Sequence, residues 1–128
     1  MDLPVDIHEH DGCSLVAISG EVDAESAPAL RARLNAVVAQ GHHHLVIDLR
    51  KVDFLDSTGL GALVGVLQRV RFHDGSLHLV CTQEKILRIF RITGLTKVFP
   101  LHDSPEQALA AAGAERAGAA APLPAQPR

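Results

Sequence analysis

The stretch that decides the fold is Leu45-Val46-Ile47-Asp48-Leu49-Arg50-Lys51-Val52-Asp53-Phe54-Leu55-Asp56-Ser57-Thr58-Gly59-Leu60-Gly61. The apolar run Leu45 to Leu49 has the composition of a buried strand, and a turn is expected after it. Asp56, Ser57 and Thr58 come next, all residue types whose side-chain oxygens accept the orphan N–H groups of a first helical turn. Leu60, Leu63, Val64 and Leu67 then recur at i, i+3, i+4 and i+7, so a helix with one apolar stripe starts at or within a residue of Ser57. A strand thus delivers a pair of hydroxyls to a helix start.

Gly59, Gly61 and Gly65 lie in that helical pattern, where each interior glycine costs about 1 kcal/mol relative to alanine. Close approach of a second molecule is the simplest reason to keep the backbone bare there. The helix start also carries a positive partial charge and free N–H donors, so a phosphate on Ser57 or Thr58 is locally tolerated. On the residues alone Ser57 has two readings, a plain cap or a phosphorylatable switch.

Working outward, the 128-residue chain is long enough for one compact domain with a single core. Its net charge of -3 and the lack of any Lys/Arg block disfavour capture of nucleic acid or anionic membrane, so a protein or small-molecule partner is expected. Cys13 and Cys81 sit in apolar runs without Cys-x-x-Cys or Cys/His ligand spacing and read as buried, reduced thiols. No run approaches a membrane span and the start Met1-Asp2-Leu3-Pro4 lacks the pattern of a signal peptide, so a cytoplasmic protein is expected.

Val5 to His8 and Ser14 to Ser19 read as two strands around an Asp11-Gly12 hairpin turn, followed by a loop over Gly20 to Asp23. Ser26 is placed to cap a helix with Pro28 in its first turn and Ala27, Leu30, Leu34, Val37 and Val38 as the buried stripe; Gly41 ends it. His42, His43 and His44 have no supporting carboxylate or cysteine and are assigned no metal. After His73-Asp74-Gly75, Ser76 to Cys81 reads as a strand. Glu84 to Ile92 reads as a helix with Ile86, Ile89 and Phe90 inward, closed by Gly94 in a left-handed conformation with Leu95 folding back. A short strand is expected at Val98-Phe99. Ser104-Pro105-Glu106-Gln107 then opens a last helix with a capping box, burying Ala108, Leu109 and Ala112.

The fold class is therefore α/β: a mixed sheet of about five strands, with one layer of helices packed on it. Residues 1–112 form the domain, and 113–128 an Ala/Gly/Pro-rich flexible tail. The Leu45–Leu49 strand belongs in the middle of the sheet, with Ser57 just beyond its carboxyl end, where ligands and partners of such sheets usually dock.

Enzyme chemistry finds little support. Gly59-x-Gly61-x-x-x-Gly65 misses the dinucleotide-binding spacing, and neither a phosphate-binding loop with its lysine nor a serine-hydrolase elbow occurs. A binding protein without catalytic residues, cofactor or metal is expected.

With those residues in view, the sequence resembles the anti-sigma factor antagonists, small proteins of the STAS fold (sulfate transporter and anti-sigma factor antagonist domain). The likeness runs from about Val5 to Ala112 and rests on Ser19-Gly20-Glu21-Val22-Asp23, Ile47-Asp48-Leu49, Val52 to Gly61, and Ile92-Thr93-Gly94-Leu95. The resemblance implies phosphorylation at Ser57, with Thr58 a lesser candidate, by an anti-sigma factor that is itself a serine kinase, and reversal by a serine phosphatase. It further implies that the unmodified protein binds the anti-sigma factor and frees a sigma factor. Glu21, Asp23, Asp53, Asp56, Gly59 and Gly61 are the expected docking residues. The alternative is a STAS binding module of a sensory or transport assembly, outside sigma control.

Overall fold

Asp11 and Gly12 hold positive φ values of 51° and 85°, the geometry that turns one strand straight back along its neighbour. They join β1 (Val5–His10) to β2 (Cys13–Val22), which pair antiparallel from Val5↔Ile18 to His10↔Cys13. The computed structural model describes residues 3–120. Beyond the hairpin run α1 (Ala27–Ala39), β3 (His44–Leu55), α2 (Ser57–Phe72), β4 (Ser76–Val80), α3 (Glu84–Ile92), a 3-10 turn at Leu95–Lys97, β5 (Leu101–His102) and α4 (Pro105–Ala120). Among the described residues the sheet has the order β1-β2-β3-β4-β5, parallel from β2 onward, with β3 in the centre as its apolar run requires.

Several boundaries differ from the sequence expectation, each for a tertiary reason. The expected turn after Leu49 is strand: β3 continues to Leu55 because β2 continues beside it, pairing Ser19↔Lys51, Gly20↔Val52, Glu21↔Phe54 and Val22↔Leu55. For the same reason Gly20 to Val22 is strand rather than loop. β4 pairs with β3 only as far as Asp48↔Val80. Past that point the bare edge of β3 is met by Gln83, whose Nε2 donates to the carbonyls of Arg50 at 2.8 Å and Val52 at 2.6 Å, which masks an exposed strand edge.

Val98-Phe99 is not a strand. Phe99 N donates to Leu95 O at 2.9 Å as the 3-10 turn unwinds, and the pairing strand is Leu101–His102, against Leu79 and Val80. The apolar dipeptide signals the core instead: Phe99 is buried and meets Phe90 edge-to-face at 5.9 Å between ring centroids.

Helices cover both faces of the sheet, not one. Leu45, Ile47 and Leu49 pack with the buried stripes of α1, α2 and α3. On the other face Val46 joins Cys13, Val80, Ala108 and Ala112, so α4 is the second layer. A strand apolar on alternate and intervening positions needs cover on each side. The two cysteines are free and buried on opposite faces, so they cannot pair.

The expected tail from Gly113 is corrected as far as Ala120: α4 runs through it. Residues 121–128 lie outside the described residues. The helix opens on half of the expected capping box: Gln107 N donates to Ser104 Oγ at 3.2 Å, while Gln107 Oε1 accepts from Asp103 N at 3.4 Å, one residue before the cap. Among the described residues no helix is long and apolar enough to cross a membrane.

Candidate functional site

At the carboxyl end of the central strand, Asp56 leaves the sheet with extended backbone and becomes the N-cap of α2. Its Oδ1 accepts from Thr58 N at 3.0 Å and Gly59 N at 3.1 Å, and from the Thr58 hydroxyl at 2.5 Å. The Thr58 hydroxyl bond, with the Gly59 N–H behind it, holds the Asp56 carboxyl below its ordinary pKa. The capping duty that the sequence leaves open between Asp56, Ser57 and Thr58 thus falls to Asp56. Thr58 spends its hydroxyl on that cap, whereas Ser57, the first residue of α2, is exposed.

The end of β2 lies against this helix start. Asp56 N donates to Val22 O at 3.2 Å. A Cβ placed on Gly59 would stand 2.6 Å from Leu55 Cδ1 and 2.7 Å from Val22 Cγ1. Gly59 is therefore buried against its own chain, and the close approach it permits is internal, not that of a second molecule as its sequence position suggests. Gly61 differs, being exposed, with open space where a Cβ would go.

Val22 carries Glu21 and Asp23 to the same rim. Asp23 is half-buried and shapes its loop: Oδ1 accepts from Glu25 N and Ser26 N, both at 3.0 Å, and Asp23 N donates to Ser26 Oγ at 3.0 Å. Ser26 is buried and donates to Glu21 O at 2.8 Å. It makes no side-chain cap on α1, contrary to expectation, because its hydroxyl ties the loop back to β2. Glu21 and Asp53 are exposed, and Asp53 is the residue that a register shift between β2 and β3 leaves without a cross-strand partner.

Phe54 lies among the docking candidates without being one of them by sequence. It pairs across with Glu21 and stands 47% exposed, a large aromatic side chain on the acidic rim. Beside the rim, Leu3, Pro4, Gly20, Glu21, Asp23, Glu25 and Ser26 line a cleft of about 290 Å³. The triple histidine lies apart from this site: His42 meets Glu9 at 3.4 Å, His43 stacks on His73 at 4.2 Å, and His44 Nδ1 bonds Ser76 Oγ at 2.9 Å. Among the described residues no group of three or more His, Cys, Asp or Glu is placed to hold a metal ion.

A mixed five-stranded sheet flanked by helices is the arrangement of a STAS domain, and the family model for that domain matches residues 4–108. The chain is 39% identical over 106 residues to the anti-sigma-B factor antagonist of Bacillus subtilis strain 168, covering 83% of this chain and 96% of that one. The crystal structure of an anti-sigma factor antagonist from Mycobacterium paratuberculosis superposes with a TM-score of 0.77 at 36% identity, over 86% of this chain and 93% of the other. The Bacillus cell fate determinant SpoIIAA in its phosphorylated form shares the fold, with a TM-score of 0.67 at 18% identity over 84% and 98% of the two chains. The chain belongs to the STAS domain family, in its anti-sigma factor antagonist branch.

Proposed function

We propose that this protein is an anti-sigma factor antagonist switched at Ser57. Unmodified, it binds an anti-sigma factor with serine kinase activity and so releases a sigma factor; phosphorylated on Ser57, it lets the anti-sigma factor go, and a serine phosphatase restores it. The observation that carries this reading is the division of labour at the start of α2. Thr58's hydroxyl is held by Asp56, while the neighbouring Ser57 stands exposed on the rim with Asp53, Glu21 and Asp23 around the same strand ends. The names of the similar proteins, and the phosphorylated state in which SpoIIAA was solved, support it.

A phosphate adds roughly -1.5 to -2 charges to a patch that is already acidic. The free N–H groups and dipole of the helix start tolerate that charge within the protein. A partner seated over Ser57 and Gly61 meets both the repulsion and the cost of desolvating the phosphate. The switch therefore acts by surface repulsion and occlusion, with the fold unchanged.

The test is to incubate the purified protein with candidate anti-sigma kinases and ATP, locate phosphate by mass spectrometry, and titrate each form against the kinase. Phosphate on Ser57 is expected, with a loss of partner affinity of about a hundredfold or more, equivalent to roughly 2.7 kcal/mol. Equal affinity of the phosphorylated protein and Ser57→Ala for the partner would overturn the proposal. The amide NMR spectrum should change only around Ser57.

A further inference from the structure

At the Ser57 end of the sheet, Phe54 is an aromatic side chain that the core does not use. Leu55 belongs to the apolar cluster shared with α1 and α2, and strand alternation sends Phe54 to the opposite face. There, among the described residues, the cluster under α4 is built on Cys13, Val46, Val80, Ala108 and Ala112 and does not include it. Phe54 is left half-exposed, while Phe90 and Phe99 are fully buried. Its cross-strand neighbour is Glu21, which gives the ring none of the aromatic or β-branched contact that stabilises a sheet.

A single exposed phenylalanine is ordinary on a protein surface. The position of this one is not. Three extended residues span at most about 10 Å, so Phe54 and Ser57 fit within one standard interface, which covers roughly 800 Å² per partner. Exposed Glu21 and Asp53 border the ring, and among the described residues neither has an ion-pair partner. An apolar centre inside a charged border is the anatomy of a contact patch, and aromatic side chains are prominent among those that carry its affinity.

We propose that Phe54 is the apolar anchor of the docking surface, seated in an apolar pocket of the anti-sigma kinase whose border carries lysine or arginine. The inference rests on the reading of Ser57 given above and adds a source of affinity that phosphorylation leaves intact. The contact crosses the end of the sheet, with Ser57 on the side of α2 and Phe54 on the side of α4. The two positions then contribute separately: charge at Ser57 decides whether the kinase stays, and burial of Phe54 decides how tightly. They also differ in their response to salt. The carboxylate border acts through a field that salt screens within about 10 Å at 0.1 M, whereas burial of the ring is not screened.

The test is titration of the full chain against the purified kinase that phosphorylates Ser57, in about 50 mM and about 500 mM NaCl. Wild type is compared with Phe54→Ala, with Phe54→Leu, and with Phe72→Ala, which removes the other exposed phenylalanine at the far end of α2. Phe54→Ala is expected to bind about tenfold or more weakly at both salt concentrations, with its urea midpoint kept. Phe54→Leu should regain part of that loss, and Phe72→Ala should bind as wild type does. Wild-type affinity itself should fall with salt; an affinity that does not fall would overturn the basic border. Phe54→Ala bound as tightly as wild type, or a deficit that Phe72→Ala matches or that vanishes at high salt, would overturn the anchor. The reading of Ser57 fails separately, when the phosphorylated and Ser57→Ala proteins bind alike. A wild-type protein that no candidate kinase binds would overturn both.

Discussion

Two glycines two residues apart serve different ends. Gly59 is buried with Leu55 and Val22 within 2.7 Å of any added Cβ, and the Val22 carbonyl at 3.1 Å. Gly59→Ala is expected to lower unfolding stability in urea by about 1–3 kcal/mol, the usual cost of overpacking. Gly61 has open space, so Gly61→Ala should raise stability by up to about 1 kcal/mol through helix propensity. If Gly61 is a docking residue, that same variant binds the anti-sigma partner more weakly. More stability with less affinity is the pattern that identifies a contact surface.

At the scale of the element, the long β3 shows how a neighbour overrides composition. Arg50, Lys51 and Asp53 are exposed and charged, the pattern of a turn, yet they are strand because β2 supplies a ladder on one side. Gln83 closes the other side where β4 has stopped. Gln83→Ala should therefore cost about 1 kcal/mol, the net worth of such hydrogen bonds, and raise amide exchange selectively at the outer half of β3. A uniform change across the sheet would contradict this. α4 makes the same point at the other end. Alanine and glycine without a stripe read as tail, and only the sheet face bearing His78 gives Glu115 a partner.

For the whole molecule, the titrating groups point one way on acidification. His44 and His102 lie below their ordinary 6.5, so their contribution is complete near pH 7 and fades as pH drops past 6.5. Asp56 lies below its ordinary 3.8, so the α2 cap persists well below the histidine transition and weakens only as pH falls beneath that value. Buried Cys13 and Cys81 lie above their ordinary 9.0; the unfolded chain releases those protons first, and stability falls as pH rises past 9. Urea midpoints measured from pH 3 to 10 should give a plateau around neutrality, an early decline below 6.5, a second below 4, and a loss above 9. A midpoint constant between pH 7.5 and 5.5 would contradict the histidine contribution.

The central strand, the helix beginning at Ser57, the hairpin at Asp11-Gly12 and the left-handed stop at Gly94 were legible along the chain because each depends on residues adjacent in sequence: apolar periodicity, a cap, or a backbone that only certain residues adopt. The exposed position of Ser57 and the release of its hydroxyl from capping were not, since Asp56, Ser57 and Thr58 are equivalent until the backbone chooses the one that turns. Nor were the internal cause of Gly59, the reach of β3, or the second helical layer with its His78–Glu115 contact. Each of these is a contact between segments tens of residues apart, and burial and hydrogen-bond satisfaction are settled where such segments meet in space.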